Sequence, residues 1–327
     1  MKKIFVCILA MLSMMTALFA KEAGTKAKFE VVFVPGWFSE NNTARYQTRL
    51  QQIYPDAKIT VLSWKANEKK WNVAVSRAEE FSSDVIKYLT EKSPEERDNT
   101  ILIGHSLGGR ILIKTAEKLA NQKMKVKYFI LLGAAADYNS DLTPIIAAST
   151  HRNINIFSNN DSVLKYPFTY SKKQLMPALG FCGTNQKLPE RFVQYKMETS
   201  EPATSNTDSL TAVIEFLNHI CPVYFDELDE ILKGKKQPYT PEYDYSEVKI
   251  EKTFLSLPKN IIYVPVVNII VLDSYAGWTL CQIPLPKEKK VYFIIDNLGR
   301  IRQWNISLTM LRWSFKKIKS QIKKIED

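Results

Sequence analysis

Residues 101–110 read "ILIGHSLGGR", and the fold turns on how this stretch is interpreted. A short apolar run ends at Gly104, and Ser106 stands midway between that glycine and Gly108, in the spacing G-x-S-x-G. Residues 100–104 have the look of a buried strand, and residues 107–121 carry apolar side chains at helical spacing. The serine therefore falls on a turn from strand to helix. Such a turn crowds the chain around the serine, so the positions two before and two after admit only small side chains. Gly104 and Gly108 meet that demand. The hydroxyl is then aimed at the mouth of a sheet, near the positive end of the following helix, where backbone amides can meet an oxyanion.

Working outward, residues 28–34, 57–64, 100–104, 126–132, 153–158 and 191–197 are short apolar or β-branched runs that read as buried strands. Residues 73–91 and 107–121 have helical periodicity. Alternation of this kind predicts an α/β fold, a mostly parallel sheet with helices on both faces. Beyond Gly234 the composition changes. Residues 235–249 are rich in Lys, Pro and Tyr without apolar period and read as a linker between a catalytic domain at 21–234 and an accessory region at 250–327. In that region 260–272 and 291–304 read as strands, the second a hairpin turning at Asn297-Leu298-Gly299. A small β-rich and helical appendage is expected. Its closing segment places Leu308, Leu311, Phe315, Ile318, Ile322 and Ile325 three or four residues apart, an amphipathic helix with Arg312 and five lysines between the apolar positions. The apolar stripe fits packing on the protein's own surface; membrane-surface contact or a coiled-coil contact are the alternatives.

The chain has 327 residues, enough for two domains or for one large domain with an appendage. With 45% hydrophobic and 24% charged residues it is globular in composition, which excludes disorder as its main state. Residues 1–20 join Lys2 and Lys3 to an apolar run and end in Ala17-Leu18-Phe19-Ala20, the pattern of a cleaved secretory signal. The alternative is a retained anchor, but the run falls short of the ~20 residues of a spanning helix. A secreted or periplasmic product is expected. Its formal charge falls from +11 to +9 as the two lysines leave. Cys182, Cys221 and Cys281 then remain, with Cys182 to Cys221 the favoured pairing if a disulfide forms. No metal-ligand spacing is present in the sequence.

"GHSLGG" between strand and helix resembles the nucleophile elbow of the α/β-hydrolase superfamily, in particular its lipase and esterase branches, over about residues 28–232. The resemblance implies a serine hydrolase acting on a small-molecule or lipid ester, with no cofactor and no nucleic-acid partner. It also implies a carboxylate and a histidine base following Ser106 in that order. His105 adjoins the serine and should point away from it as a packing residue. His151 precedes a strand and should lie at the far end of the sheet, roughly 20 Å away. His219 is left as the base. Asp161, after the strand at 153–158, is the favoured acid, with Asp137 as the alternative. The oxyanion hole would take the amide of Leu107 and a second from "VFVPGWFSE", where Trp37 is preferred and Phe38 follows. The side chains of Trp37 and Phe38 either line an acyl pocket or cover the core. An acyltransferase, thioesterase or peptidase on the same fold, or a silent binding protein, remain the rival functions.

Overall fold

The computed structural model describes residues 27–161, 163–164, 178–184, 186, 188–198, 210–240, 270–284, 290–296 and 301–327. The signal-like residues 1–20, most of the linker, the strand expected over 260–269 and the hairpin turn at 297–299 lie outside them.

Six strands form one parallel sheet: β1 (Phe29–Val34), β2 (Ala57–Val61), β3 (Thr100–His105), β4 (Tyr128–Leu132), β5 (Asn153–Phe157) and β6 (Phe192–Lys196). Their order is β2-β1-β3-β4-β5-β6, so the chain starts inside the sheet, adds one edge, then crosses over and builds the other. All six coincide with apolar runs of the sequence. β3 is buried throughout and β1 from its second residue on, which is why they read as continuous rather than alternating apolar segments.

Helices cover both faces. On one, α1 (Thr43–Ile53) packs beside the long α7 (Leu210–Leu232): Phe33 of β1 meets both Tyr46 and Phe225, and Arg49 pairs with Asp226 at 2.7 Å. On the other, α2 (Trp71–Thr90), α4 (Leu107–Asn121) and α5 (Thr143–Ala147) form the second layer. Between α2 and β3 lies the short α3 (Pro94–Asp98), whose Ser93 and Glu96 form a reciprocal capping box. A one-turn helix, α6 (Leu179–Cys182), precedes β6. This is a parallel α/β sheet covered on both faces, with the serine turn at the end of its third strand.

A second sheet, antiparallel, follows: β7 (Ile270–Tyr275), β8 (Trp278–Pro284), β9 (Lys290–Ile295) and β10 (Ile301–Asn305), in the order β10-β9-β8-β7. Its face is covered by α8 (Leu308–Glu326), whose Leu311, Phe315, Ile318 and Ile322 close a core of their own with Trp278, Leu280 and Ile294. The apolar stripe of the last helix is thus spent on its own sheet. β8 was not anticipated from sequence, because the polar Thr279 and Gln282 interrupt its apolar run. Residues 235–240 are less detached than a linker suggests: the Tyr239 amide donates to Gln194 O of β6 at 2.7 Å.

The favoured disulfide is absent. Cys182, Cys221 and Cys281 are each buried and unbridged, and burial pushes the Cys221 thiol well above its usual value. Cys221 faces Tyr46 under α7, while Cys182 hydrogen-bonds the carbonyl of Ala178.

Candidate active site

The strand register fixes the level of the site. Val34 pairs with Gly104, His105 with Leu132, and Leu132 with Ile156, so Gly36, Ser106, Gly133 and Phe157 share one rim at the carboxyl ends of the strands. That rim is where open α/β sheets bind ligands.

Ser106 sits there with φ 53° and ψ −118°, a conformation a non-glycine residue holds only when its surroundings impose it. The imposition comes from close packing on each side. A Cβ on Gly108 would lie 1.9 Å from Val34 O, and one on Gly104 would lie 2.6 Å from Gly108 O. The two glycines therefore let helix α4 start directly against β1 and β3. Gly36 serves the loop after β1 in the same way, since its Cβ would come within 2.8 Å of Ser106 Cβ. Ser106 donates its amide to Leu132 O and accepts from Ala135 N through its carbonyl, both at 2.9 Å. The backbone is thus held by β4, while the Oγ, buried at 3% residue exposure, has no hydrogen-bond partner among the described residues.

Two backbone amides at this end of the sheet are equally uncommitted among the described residues. Leu107, the first residue of α4, has no acceptor for its N–H, and Trp37 has none for its own. The amide of Phe38 donates to Ala66 O at 3.3 Å and is occupied. Of the two donors weighed in the loop after β1, Trp37 keeps the open one. Its indole donates to Glu68 O at 2.7 Å, and the Trp64 indole donates to Pro35 O at 2.9 Å. Two tryptophans thereby clamp the loop after β1 to the one after β2. The Trp37 ring is buried between Phe38 and Trp71, so it covers the core, and Phe38 lies half-buried beside it. These clamps were not recognised from sequence; tryptophans at 37, 64 and 71, closely spaced around two strand ends, are the signal that could have found them.

His105 is fully buried and desolvation depresses its pKa to about 3, so the ring is neutral at any ordinary pH. It packs on Tyr224 with ring centroids 5.6 Å apart, as a packing residue should. Tyr224 in turn lies over Gly133, whose φ of +51° and closeness to the phenol both demand glycine. His151 is exposed ahead of β5, at the opposite end of the sheet, and bonds Thr150 Oγ1 at 2.8 Å.

The acids fall at the correct end. Asp161 follows β5 by four residues and is buried, with Oδ1 accepting the Leu164 amide at 2.9 Å. Asp137 follows β4, half-buried, bridged through its backbone to Ala178. His219 is placed differently from the expectation of a loop or a helix start. It lies in the third turn of α7 on an exposed face. Ile220, Cys221, Tyr224, Phe225 and Leu228 form the buried face of that helix, and His219 projects away from it. Asn218 beside it bonds Asn42 at 2.7 Å, which ties this part of α7 to the rim. Ser106, Asp161 and the backbone of Trp37 and Leu107 therefore lie at one end of the sheet, while His219 stands on an exposed face of α7.

Comparison with known proteins finds one family model and several solved structures to which the chain is similar. The profile of a family described as "Protein of unknown function (DUF726)" matches residues 57–186, from β2 past α6, a span that holds Ser106 and Asp161 but not His219. No curated protein matches the chain. Among solved structures, esterase PE8 is similar at 16% identity over 64% of this chain and 93% of its own, with a TM-score of 0.40. An esterase of Pyrobaculum calidifontis is similar at 13% identity over 63% of this chain and 76% of its own, with a TM-score of 0.34. Carboxyl esterase 2 of Tuber melanosporum is similar at 13% identity over 65% and 80%, with a TM-score of 0.35.

Among the described residues no group of three or more His, Cys, Asp or Glu side chains converges on a point. A cavity of about 700 Å³ lies between the loop after β2 and α2, lined by Glu40, Trp64, Lys65, Arg77 and Asp84 among others and by none of Ser106, Leu107, Trp37 or Asp161. Its mixed charges suit a polar group rather than an alkyl chain.

Proposed function

We propose that this protein is an exported serine hydrolase that cleaves carboxylic esters through an acyl-enzyme on Ser106. The observation that carries the reading is a serine held at φ 53° on a strand-to-helix turn, its Oγ unpartnered among the described residues and the amides of Leu107 and Trp37 uncommitted at the same end of the sheet. Nothing in the packing of a plain loop calls for that combination. Ser106 Oγ attacks the ester carbonyl as His219 takes its proton, and the two amides receive the oxyanion. The tetrahedral intermediate collapses, His219 protonates the departing alcohol, and the acyl group stays on Oγ. Water then repeats the sequence, releasing the acid and restoring the serine. Asp161 orients the imidazole, with Asp137 as the alternative.

For His219 to serve, the part of α7 that precedes Pro222 has to turn toward the serine. Pro222 lies inside the helix, where it supplies no amide and crowds the carbonyl of Asn218, so the helix is weakest at that point. The exposed His219 and the buried Ser106 equally favour a second reading, a silent hydrolase fold used for binding.

A fluorophosphonate probe separates the two. The enzyme labels on Ser106, and Ser106→Ala does not; a native protein that fails to label is silent. His219→Ala is expected to lower ester hydrolysis by ~10³-fold or more while His151→Ala leaves it unchanged. The reverse pattern removes His219 from the mechanism.

A further inference from the structure

Among the described residues, the outward face of α8 is a large surface feature that neither core nor catalysis explains. Its inward face is committed: the apolar stripe packs on the sheet, Lys319 grips Asp273 at 2.7 Å, and the Tyr275 hydroxyl donates to Glu326 at 3.0 Å. The helix is therefore fixed with a chosen side toward solvent. On that side the exposed residues from Thr309 to Lys324 include Arg312, Lys316, Lys317, Lys323 and Lys324, and no acid. Beside these cations stand large apolar side chains that the fold leaves out: Ile306 at 74% exposure, Met310 at 57% and Trp313 at 57%. Met310 and Trp313 are three residues apart and so share one side of the helix, and Ile306 stands exposed just before the helix begins. Lys317 lies over the Trp313 ring, 3.9 Å from its centroid, which brings an ammonium to the level of the indole.

We propose that this face attaches the protein to an anionic lipid bilayer, with Ile306, Met310 and Trp313 entering the interfacial layer and the surrounding Arg and Lys side chains meeting headgroup phosphates. The charge of the face selects an anionic partner. The apolar wedge selects a bilayer over a nucleic acid, because a phosphate backbone offers Met310 and Ile306 nothing to bury against, whereas indole rings and aliphatic side chains favour the boundary between headgroups and acyl chains. Attachment is shallow, since the helix cannot roll its spent apolar stripe into the membrane. Three side chains do not hold a protein on lipid alone, so the cations and the wedge have to act together and the binding has to weaken with salt. The surface serves either function of the Ser106 site, by bringing a hydrolase to lipid-borne esters or a binding protein to the envelope.

The test is sedimentation of the full-length mature protein, in its Ser106→Ala form, with phosphatidylcholine vesicles containing or lacking phosphatidylglycerol. Use of the inactive form keeps the result independent of the hydrolase reading. Binding is expected only to the anionic vesicles and to fall steeply as salt rises. Ile306→Ser with Met310→Ser and Trp313→Ser, or Lys316→Glu with Lys323→Glu, should each weaken it by at least tenfold. All five positions are exposed, and an unchanged circular dichroism spectrum and melting temperature show that the variants fold. Equal binding to neutral vesicles, no binding to either, or binding untouched by these variants overturns the proposal. So does capture of duplex DNA that survives the Ile306, Met310 and Trp313 substitutions and competes with the vesicles, which would make the face a general polyanion site.

Discussion

At Ser106 two costs are stored in one residue. A non-glycine backbone at φ 53° and ψ −118° costs on the order of 1–3 kcal/mol, and a buried hydroxyl without a partner among the described residues adds a share of desolvation. Neither cost helps the fold. Ser106→Gly relieves both, so the variant is expected to be more stable than the parent by about 1 kcal/mol or more, read as a higher urea midpoint, while losing all probe labelling. Glycine's greater entropy loss on folding works against this gain by roughly 0.5–1 kcal/mol, so a small gain still counts and a clear destabilisation does not. The serine and its turn were legible in the sequence because sterics admit few residues there, and the pattern of two glycines around a serine records that exclusion directly. The histidine was not. Choosing His219 rested on setting aside His105 and His151 by their places and on its order in the chain, and neither says which face of a helix a residue occupies.

At the scale of elements, the sheet is tied at its other end by Glu30, the second residue of β1. Burial disfavours its charge, but hydrogen bonds from Lys92, Thr60, Tyr88 and Lys58 outweigh this and hold the carboxyl down at about 2. They join β1 to β2 and to α2. Because the folded pKa lies below the unfolded one, this stabilisation is complete above about pH 5 and is lost as the pH falls through the unfolded value toward 2. Glu30→Gln should therefore lower the unfolding free energy by about 2–3 kcal/mol at neutral pH. The gap from wild type should narrow steadily below pH 4, measured by urea titration across the range. A gap independent of pH would mean that Glu30 acts by shape rather than by charge. Elements of this sheet were easy to anticipate since buried parallel strands leave continuous apolar runs. α1 was missed: its buried Tyr46 and Leu50 are only two apolar marks amid polar residues. α7 was seen only in part, because the last strand was expected to give way to a catalytic loop.

For the whole molecule the decisive fact is that the described residues form two hydrophobic cores, one around the six-stranded sheet and one between the antiparallel sheet and α8, with no buried residue in common among them. Leu107 and Trp37 belong to the first, and Ser106 and Asp161 are buried polar residues of the same six-stranded unit. Phe315 is central to the second, fully buried against the sheet that α8 covers. Truncating it removes a buried ring and leaves a cavity, a loss of about 3–5 kcal/mol from that core. If the cores are energetically separate, Phe315→Ala melts in two steps: an early transition of the C-terminal core and a later one at the parent's temperature, with fluorophosphonate labelling of Ser106 unchanged in the interval between them. The same variant should lose vesicle binding at the first transition, because the outward face of α8 keeps its shape only while the inward face is packed. Calorimetry alongside labelling reads both. A single transition carrying labelling with it would instead mean that the two cores fold as one, and that the appendage stabilises the site as well as placing it.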